Sequence, residues 1–158
     1  HIGKGSSQRD RRFKKRGKQA IGRSRGGLTT KIHMVTATDR SAVSFALSGG
    51  EAHDSLEALA LLDKIIRVPE QKYILMDKAY EGENIRRKAV EKGYSPVVPP
   101  KSNRTDPREY DKERYKQRNE IERYFLRLKR FRKIFTRYDK LDVLFCGFIY
   151  FAMIVDAI

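Results

Sequence analysis

At 158 residues and a formal net charge of +15, the chain is long enough for one domain with a genuine core and hardly for two. The charge is concentrated: residues 1–25 carry +9, residues 101–140 carry +8, and the remainder sums to −2. Two basic zones on a nearly neutral scaffold point to a polyanion, above all nucleic acid, and the N-terminal zone has too few apolar residues for an amphipathic membrane anchor.

The lone Cys146 excludes a disulfide framework and, set in an apolar run, reads as an inert core thiol in a reducing compartment. The run Val143–Val155, thirteen residues interrupted by Gly147, is too short for a typical membrane span and predicts a buried helix. The chain begins at His1, within a polar basic stretch, which points to a fragment or a decayed reading frame.

Residues 1–26 are rich in Gly, Ser, Lys and Arg, with Ile2, Phe13 and Ile21 as the bulky apolar residues. They read as a flexible basic arm that orders on nucleic acid. Leu28–Thr38 is β-branched and partly alternating, Asp39-Arg40 makes a turn, and Ala42–Leu47 follows, which predicts an antiparallel hairpin ended by Gly49-Gly50. Asp54, with Glu57 three residues on, reads as the N-cap of a helix whose core stripe is Leu56, Leu59, Leu62 and Ile66. His33 reads as a strand residue with a local hydrogen bond, and His53 as a cap neighbour.

The apolar run Tyr73–Met76 ends abruptly at Asp77, as a central strand covered on both faces would. Asp77 then lies at the carboxyl end of a strand, the edge where open α/β sheets carry their sites. A helix over Glu81–Lys92 closed by Gly93, a strand over Ser95–Val98 and a polar linker over Lys101–Pro107 follow. One long helix is expected from about Arg108 to Phe135, broken at Tyr138–Lys140, before the Leu141–Ala157 helix. The order is an α/β arrangement.

On a wheel of about 100° per residue, Tyr115, Arg118, Glu122 and Lys129 fall within roughly 60° of one another. Ile121, Tyr124, Phe125, Leu128 and Phe131 form a core-facing arc, and Lys116, Arg123, Arg127 and Arg130 a purely basic one. A lone carboxylate among cations, beside a cationic stripe, suits a group that handles metal and phosphate together. The plainer readings are an i,i+4 pair between Arg118 and Glu122 and a turn cap at Asp77.

These residues resemble the catalytic domain of DDE-type bacterial insertion-sequence transposases, in the branch with a Tyr-x2-Arg-x3-Glu-x6-Lys signature. Tyr115, Arg118, Glu122 and Lys129 fit that spacing without a gap. Met76-Asp77-Lys78-Ala79-Tyr80 looks like the block carrying the family's second catalytic Asp. Gly22–His33 and Gly50–Ser55 also resemble recurring family segments, in order along the chain.

The resemblance implies a ribonuclease-H-like fold, a mixed sheet flanked by helices, over residues 27–158. It implies Mg²⁺-dependent (or Mn²⁺-dependent) cleavage at transposon ends and strand transfer, by a homo-oligomer on double-stranded DNA in the bacterial cytoplasm, at the nucleoid, with no membrane. In that scheme Asp77 and Glu122 are catalytic metal ligands. Tyr115, Arg118 and Lys129 contact DNA near the cleaved end, joined by Arg123, Arg127 and Arg130 of the basic arc and Arg23 and Arg25 of the arm. The family's first catalytic Asp lies upstream of the Gly-Arg-Ser block, on a strand these residues lack; Asp10, Asp39 and Asp54 do not substitute for it. The expectation is therefore an N-terminally incomplete domain that binds DNA without catalysing alone. The rivals are a non-catalytic remnant that competes with the intact enzyme and, less well supported, an RNA-binding module, for which no aromatic or Gly-loop pattern is present.

Overall fold

The structure is a computed structural model that describes residues 17–38, 40–67, 72–106 and 108–158. Strand β1 (Gly22–Ser24) turns through Arg25-Gly26 onto β2 (Gly27–Thr38), pairing Gly22 with Thr29 and Ser24 with Gly27. The turn is closed by the Ser24 hydroxyl, which donates to the Gly27 carbonyl and accepts from the Gly26 N–H. Gly27 sits at φ +108°, where a side chain would be strained. Residues 22–24 of the expected flexible arm are thus strand; residues 1–16 of it, Asp10 included, lie outside the described residues.

Strand β2 continues antiparallel to β3 (Ser41–Gly49), from Thr30 opposite Gly49 to Thr38 opposite Ser41. The hairpin was legible from its β-branched residues; its turn residue Asp39 lies outside the described residues.

Helix α1 runs Asp54–Lys64, but its N-cap position is His53, and no side chain caps it. Asp54 is instead drawn to Lys31 of β2, 2.9 Å away. The buried stripe is Ala58, Leu61 and Leu62, continued by Ile65, whereas Leu56 and Ile66 are 68% and 77% exposed. Two stripes with the same i, i+3/i+4 spacing overlap in this helix, and periodicity cannot choose between them. Packing against the sheets chooses the one containing the small Ala58.

Strand β4 (Lys72–Leu75) ends next to Asp77, whose carboxylate caps the 3₁₀ turn Lys78–Tyr80 by accepting from the Ala79 N–H at 3.1 Å. Helix α2 (Glu83–Glu91) follows, and Gly93, at φ +87°, returns the chain into β5 (Tyr94–Val97), parallel to β4. Glu81, expected as a helical residue, is buried before α2 begins. There it binds the Lys101 N–H at 3.1 Å and the Arg104 guanidinium at 2.6 Å. Burial works to raise its pKa, and those two partners outweigh it and hold the carboxyl below its ordinary value.

The expected long helix is divided. Asp111 caps α3 (Lys112–Tyr115), a 3₁₀ turn spans Lys116–Arg118, and α4 covers Asn119–Leu128. Dihedrals stay right-handed helical from Tyr115 to Asn119, so the axis tightens without breaking. The break falls at Phe131, whose extended backbone starts the short α5 (Arg132–Phe135). No Gly or Pro marks it. It places Phe131 and Ile134 against the core, which outweighs helix propensity.

Helix α6 (Asp142–Ala157) closes the chain, its first residue held by Arg137 at 2.6 Å and by the Ala20 N–H at 2.9 Å. It is not the buried helix expected: Phe145, Ile149 and Ala152 are buried, while Val143, Leu144, Tyr150, Phe151, Ile154 and Val155 are exposed. A helix apolar on every side gives no sequence signal of which side is covered.

Two cores result. One joins Met34 and Phe45 of the hairpin to Tyr124 and Leu128 of α4, Ile134, and Phe145, Ile149 and Ala152 of α6. The other joins Ala58, Leu62 and Ile65 to Met76, Ile85, Ala89 and Val98. The architecture is mixed α/β. Among the described residues the single mixed sheet expected is two: antiparallel β1-β2-β3, and parallel β4-β5. No ladder links β2 to β4, so their facing edges remain apart.

Candidate active site

Asp77 reaches the site because β4 ends there and the 3₁₀ turn fixes its backbone. Glu122 reaches it from the first turn of α4. Arg118, just before α4, joins them: its guanidinium lies 3.3 Å from Asp77 and 2.5 Å from Glu122. The i,i+4 ion pair and the turn cap are therefore both real, and both are parts of one cluster. Arg118, expected on DNA, is occupied with these two carboxylates.

Tyr115 lies beside them, half-buried, its ring 5.6 Å from Arg118 and edge-on to Tyr110. Burial raises its pKa, helped by the negative charges of Asp77 and Glu122 and opposed by Arg118, so the phenol keeps its proton. Lys129 stands exposed at the far end of α4, about 10 Å along the axis from Glu122. Arg123 and Arg130 are exposed on the same helix and just beyond it, and Arg23 and Arg25 are exposed on β1 and its turn. Arg127 departs from the expected arc. It pairs with the nearly buried Asp156 of α6 at 2.8 Å, tying α4 to α6. Lys116 is taken up by Glu113 at 2.7 Å.

Sequence reading missed two neighbours. Arg114 stacks on Tyr73 of β4 at 3.6 Å; its i,i+4 relation to Arg118 was the available signal. His33 is buried and bonds at long range rather than locally, Nε2 to the Ser48 hydroxyl at 2.8 Å and Nδ1 to the Tyr80 hydroxyl at 3.0 Å. Ser48 donates onward to the Gly49 carbonyl, so it accepts from His33 Nε2–H and leaves Nδ1 to accept from Tyr80. Burial lowers the pKa of His33 against the pull of Asp54 and Glu57. It also pushes Tyr80, with help from Asp54 and Asp77, up to about 12. No pattern in the sequence brings these three residues together. His53 is exposed at the start of α1 and does not enter the site.

Among the described residues no group of three or more His, Cys, Asp or Glu side chains could hold a metal ion. Asp77 and Glu122 are a pair of hard oxygen donors, and Mg²⁺ is commonly held by one or two carboxylates together with water and substrate phosphate. The donor chemistry fits such an ion.

Fold and site thus define an α/β protein with two carboxylates gathered at the end of a parallel strand, beside a helix with exposed cations. The family model described as the transposase DDE domain matches residues 4–155, and the chain belongs to that family. DNA transposition is the function that membership indicates. No curated protein and no solved structure matches the chain. No helix among the described residues is long and apolar enough to cross a membrane.

Proposed function

We propose that this chain carries a ribonuclease-H-like transposase catalytic domain, which binds transposon-end DNA and takes part in cleavage and strand transfer. The observation that carries the reading is the bridge Asp77–Arg118–Glu122, which gathers two acids from a strand end and a helix 45 residues apart in sequence. Asp77 and Glu122 would hold Mg²⁺ or Mn²⁺, which when bound polarises the phosphodiester and stabilises the leaving oxygen. Arg118 keeps the two carboxylates together before loading and is placed to turn onto a phosphate oxygen. Tyr115, protonated, offers an O–H donor beside them, and Arg123, Lys129 and Arg130 supply backbone contacts along the helix. Such a protein would act as a homo-oligomer on paired ends, at bacterial DNA in the cytoplasm.

The test is nicking of a supercoiled plasmid that carries the element's own ends, in Mg²⁺ or Mn²⁺, by this chain alone and by the chain together with any coding sequence upstream of it. Nicking is expected from the form that supplies a third carboxylate, and Asp77→Asn or Glu122→Gln should each lower the rate about a hundredfold or more, since even residues behind metal ligands commonly cost 10–100-fold. Nicking that survives Glu122→Gln would refute the site assignment. A second reading is favoured by the cluster holding, among the described residues, two acids rather than three: a non-catalytic DNA binder that competes with the intact transposase. Tight end binding without nicking by any form of the protein would select it.

A further inference from the structure

Asp77 owes its place to the short turn Lys78–Tyr80, and a turn of that length cannot hold itself. Its own bonds are local: the Ala79 N–H to the Asp77 carboxylate at 3.1 Å, and the Tyr80 N–H to the Asp77 carbonyl at 2.8 Å. Bonds of this i→i+3 kind have poor geometry. They fix the shape of the turn and leave open where it stands. On the strand side, the Met76 N–H bonds to the Val97 carbonyl at 3.1 Å and ties the end of β4 to β5. Past Asp77 the side chains decide. Lys78 is exposed and Ala79 offers only a methyl group, which leaves Tyr80 as the anchor.

Tyr80 is anchored twice. Its ring packs against the core that contains Met76, Ile85 and Val98. Its hydroxyl crosses to β2 and meets His33 Nδ1 at 3.0 Å. His33 is 4% exposed, and its Nε2 is engaged by the Ser48 hydroxyl of β3 at 2.8 Å. Because Ser48 takes the Nε2–H, Nδ1 presents a lone pair and the phenol donates to it. Burial, with the negative charges of Asp54 and Asp77, keeps that proton on Tyr80. The chain Ser48–His33–Tyr80 thus runs from β3 through β2 to the turn, and ends three residues from Asp77.

Position matters here, because groups that hold a metal must stand within about 0.5 Å of the productive geometry. Arg118 also touches Asp77, at 3.3 Å, but an ion that enters takes its place. The turn is the support that remains.

We propose that Tyr80 and His33 are positioning residues, a latch that fixes the turn carrying Asp77 and so sets its carboxylate with respect to Glu122. The role rests on the reading of Asp77 and Glu122 as a metal-holding pair, whereas the latch itself rests on the hydrogen bonds alone.

The test compares the 158-residue protein with Tyr80→Phe, which removes one oxygen and keeps the ring in its core. Amide hydrogen exchange, followed by NMR, reads opening of the turn at positions 79 and 80. Exchange there is expected to rise about three- to tenfold, the effect of one hydrogen bond, while the β2–β3 ladder keeps its protection. Mn²⁺, followed by its free-ion electron paramagnetic resonance signal, should bind about tenfold more weakly, as when other groups behind a metal ligand are lost. His33→Asn keeps an acceptor oxygen at the place of Nδ1 and should stay near the parent in both measurements. His33→Leu should behave like Tyr80→Phe; if it fails to fold, the other two variants still decide. Unchanged exchange at positions 79 and 80 in Tyr80→Phe overturns the latch. So does a rise shared equally by β2 and β3, which would make the bond one of general stability. Local opening with unchanged Mn²⁺ affinity overturns the positioning role. No Mn²⁺ binding by the parent would refute the metal-holding pair, and with it the role; exchange at positions 79 and 80 then shows whether the latch stands.

Discussion

Arg118 is the residue on which the site turns, and it was read in the sequence as a DNA contact. Its side chain is about a quarter exposed, and those of Asp77 and Glu122 are 41% and 53% exposed. Each pair is therefore screened by water and worth about 0.2–1 kcal/mol. A divalent ion entering the site has to displace this guanidinium from both carboxylates. Arg118→Ala should then tighten Mn²⁺ binding, measured by the loss of free-ion electron paramagnetic resonance signal, by about three- to tenfold if both pairs contribute. Unchanged or weaker binding would mean that the guanidinium organises the carboxylates more than it competes for them.

Among the elements, the clamp of β2, β3 and the 3₁₀ turn around His33 makes a pH prediction. Burial lowers the pKa of His33 in the folded chain, so between that value and the ordinary 6.5 the unfolded chain binds more protons. Stability from the neutral imidazole is thus fully present above pH 6.5 and is lost as pH falls through the folded value. Protonation puts a donor on Nδ1, against a Tyr80 hydroxyl that burial keeps protonated. The Tm should drop between pH 7 and pH 5 in the parent, and drop less in His33→Gln; equal slopes would remove His33 from the account. Elements with local signals were readable beforehand: the hairpin from its β-branched run, the existence of β4 from its abrupt end at Asp77, the return after α2 from Gly93. The expected covering of β4 on both faces was not borne out among the described residues: it pairs with β5 alone, and Tyr73 is 48% exposed. What was not readable depended on distant partners. Lys31 draws Asp54 from its expected capping role, and the packing of Phe131 and Ile134 breaks a helix that carries no breaker. Asp77 at a strand end and Glu122 among cations stood out from the residues themselves, and the resemblance strengthened their pairing; the wheel alone had no means of bringing β4 to α4.

For the whole molecule, the charge distribution is the property that one measurement can tie to the surface now seen. The zone 101–140 carries +8, yet its cations differ in availability. Arg118, Lys116 and Arg127 are held by Asp77 and Glu122, by Glu113 and by Asp156, whereas Arg123, Lys129 and Arg130 are exposed. Phosphate contact releases condensed counterions, so the affinity for duplex DNA should fall linearly with salt on logarithmic axes, by about 0.9 per phosphate neutralised. Replacing Arg123, Lys129 and Arg130 together by Ala should shallow that slope by about 2–3, with a similar loss on DNA of any sequence. Arg127→Ala is the informative comparison. It uncouples α4 from α6 and leaves Asp156, whose side chain is 10% exposed, without this partner. It should therefore lower Tm while leaving the salt slope of the folded protein unchanged. If Arg127→Ala shallowed the slope and the triple variant did not, DNA would lie on the α6 side of the helix, and the cationic face would have to be reassigned. A slope near zero for the parent would exclude phosphate contact by this zone altogether.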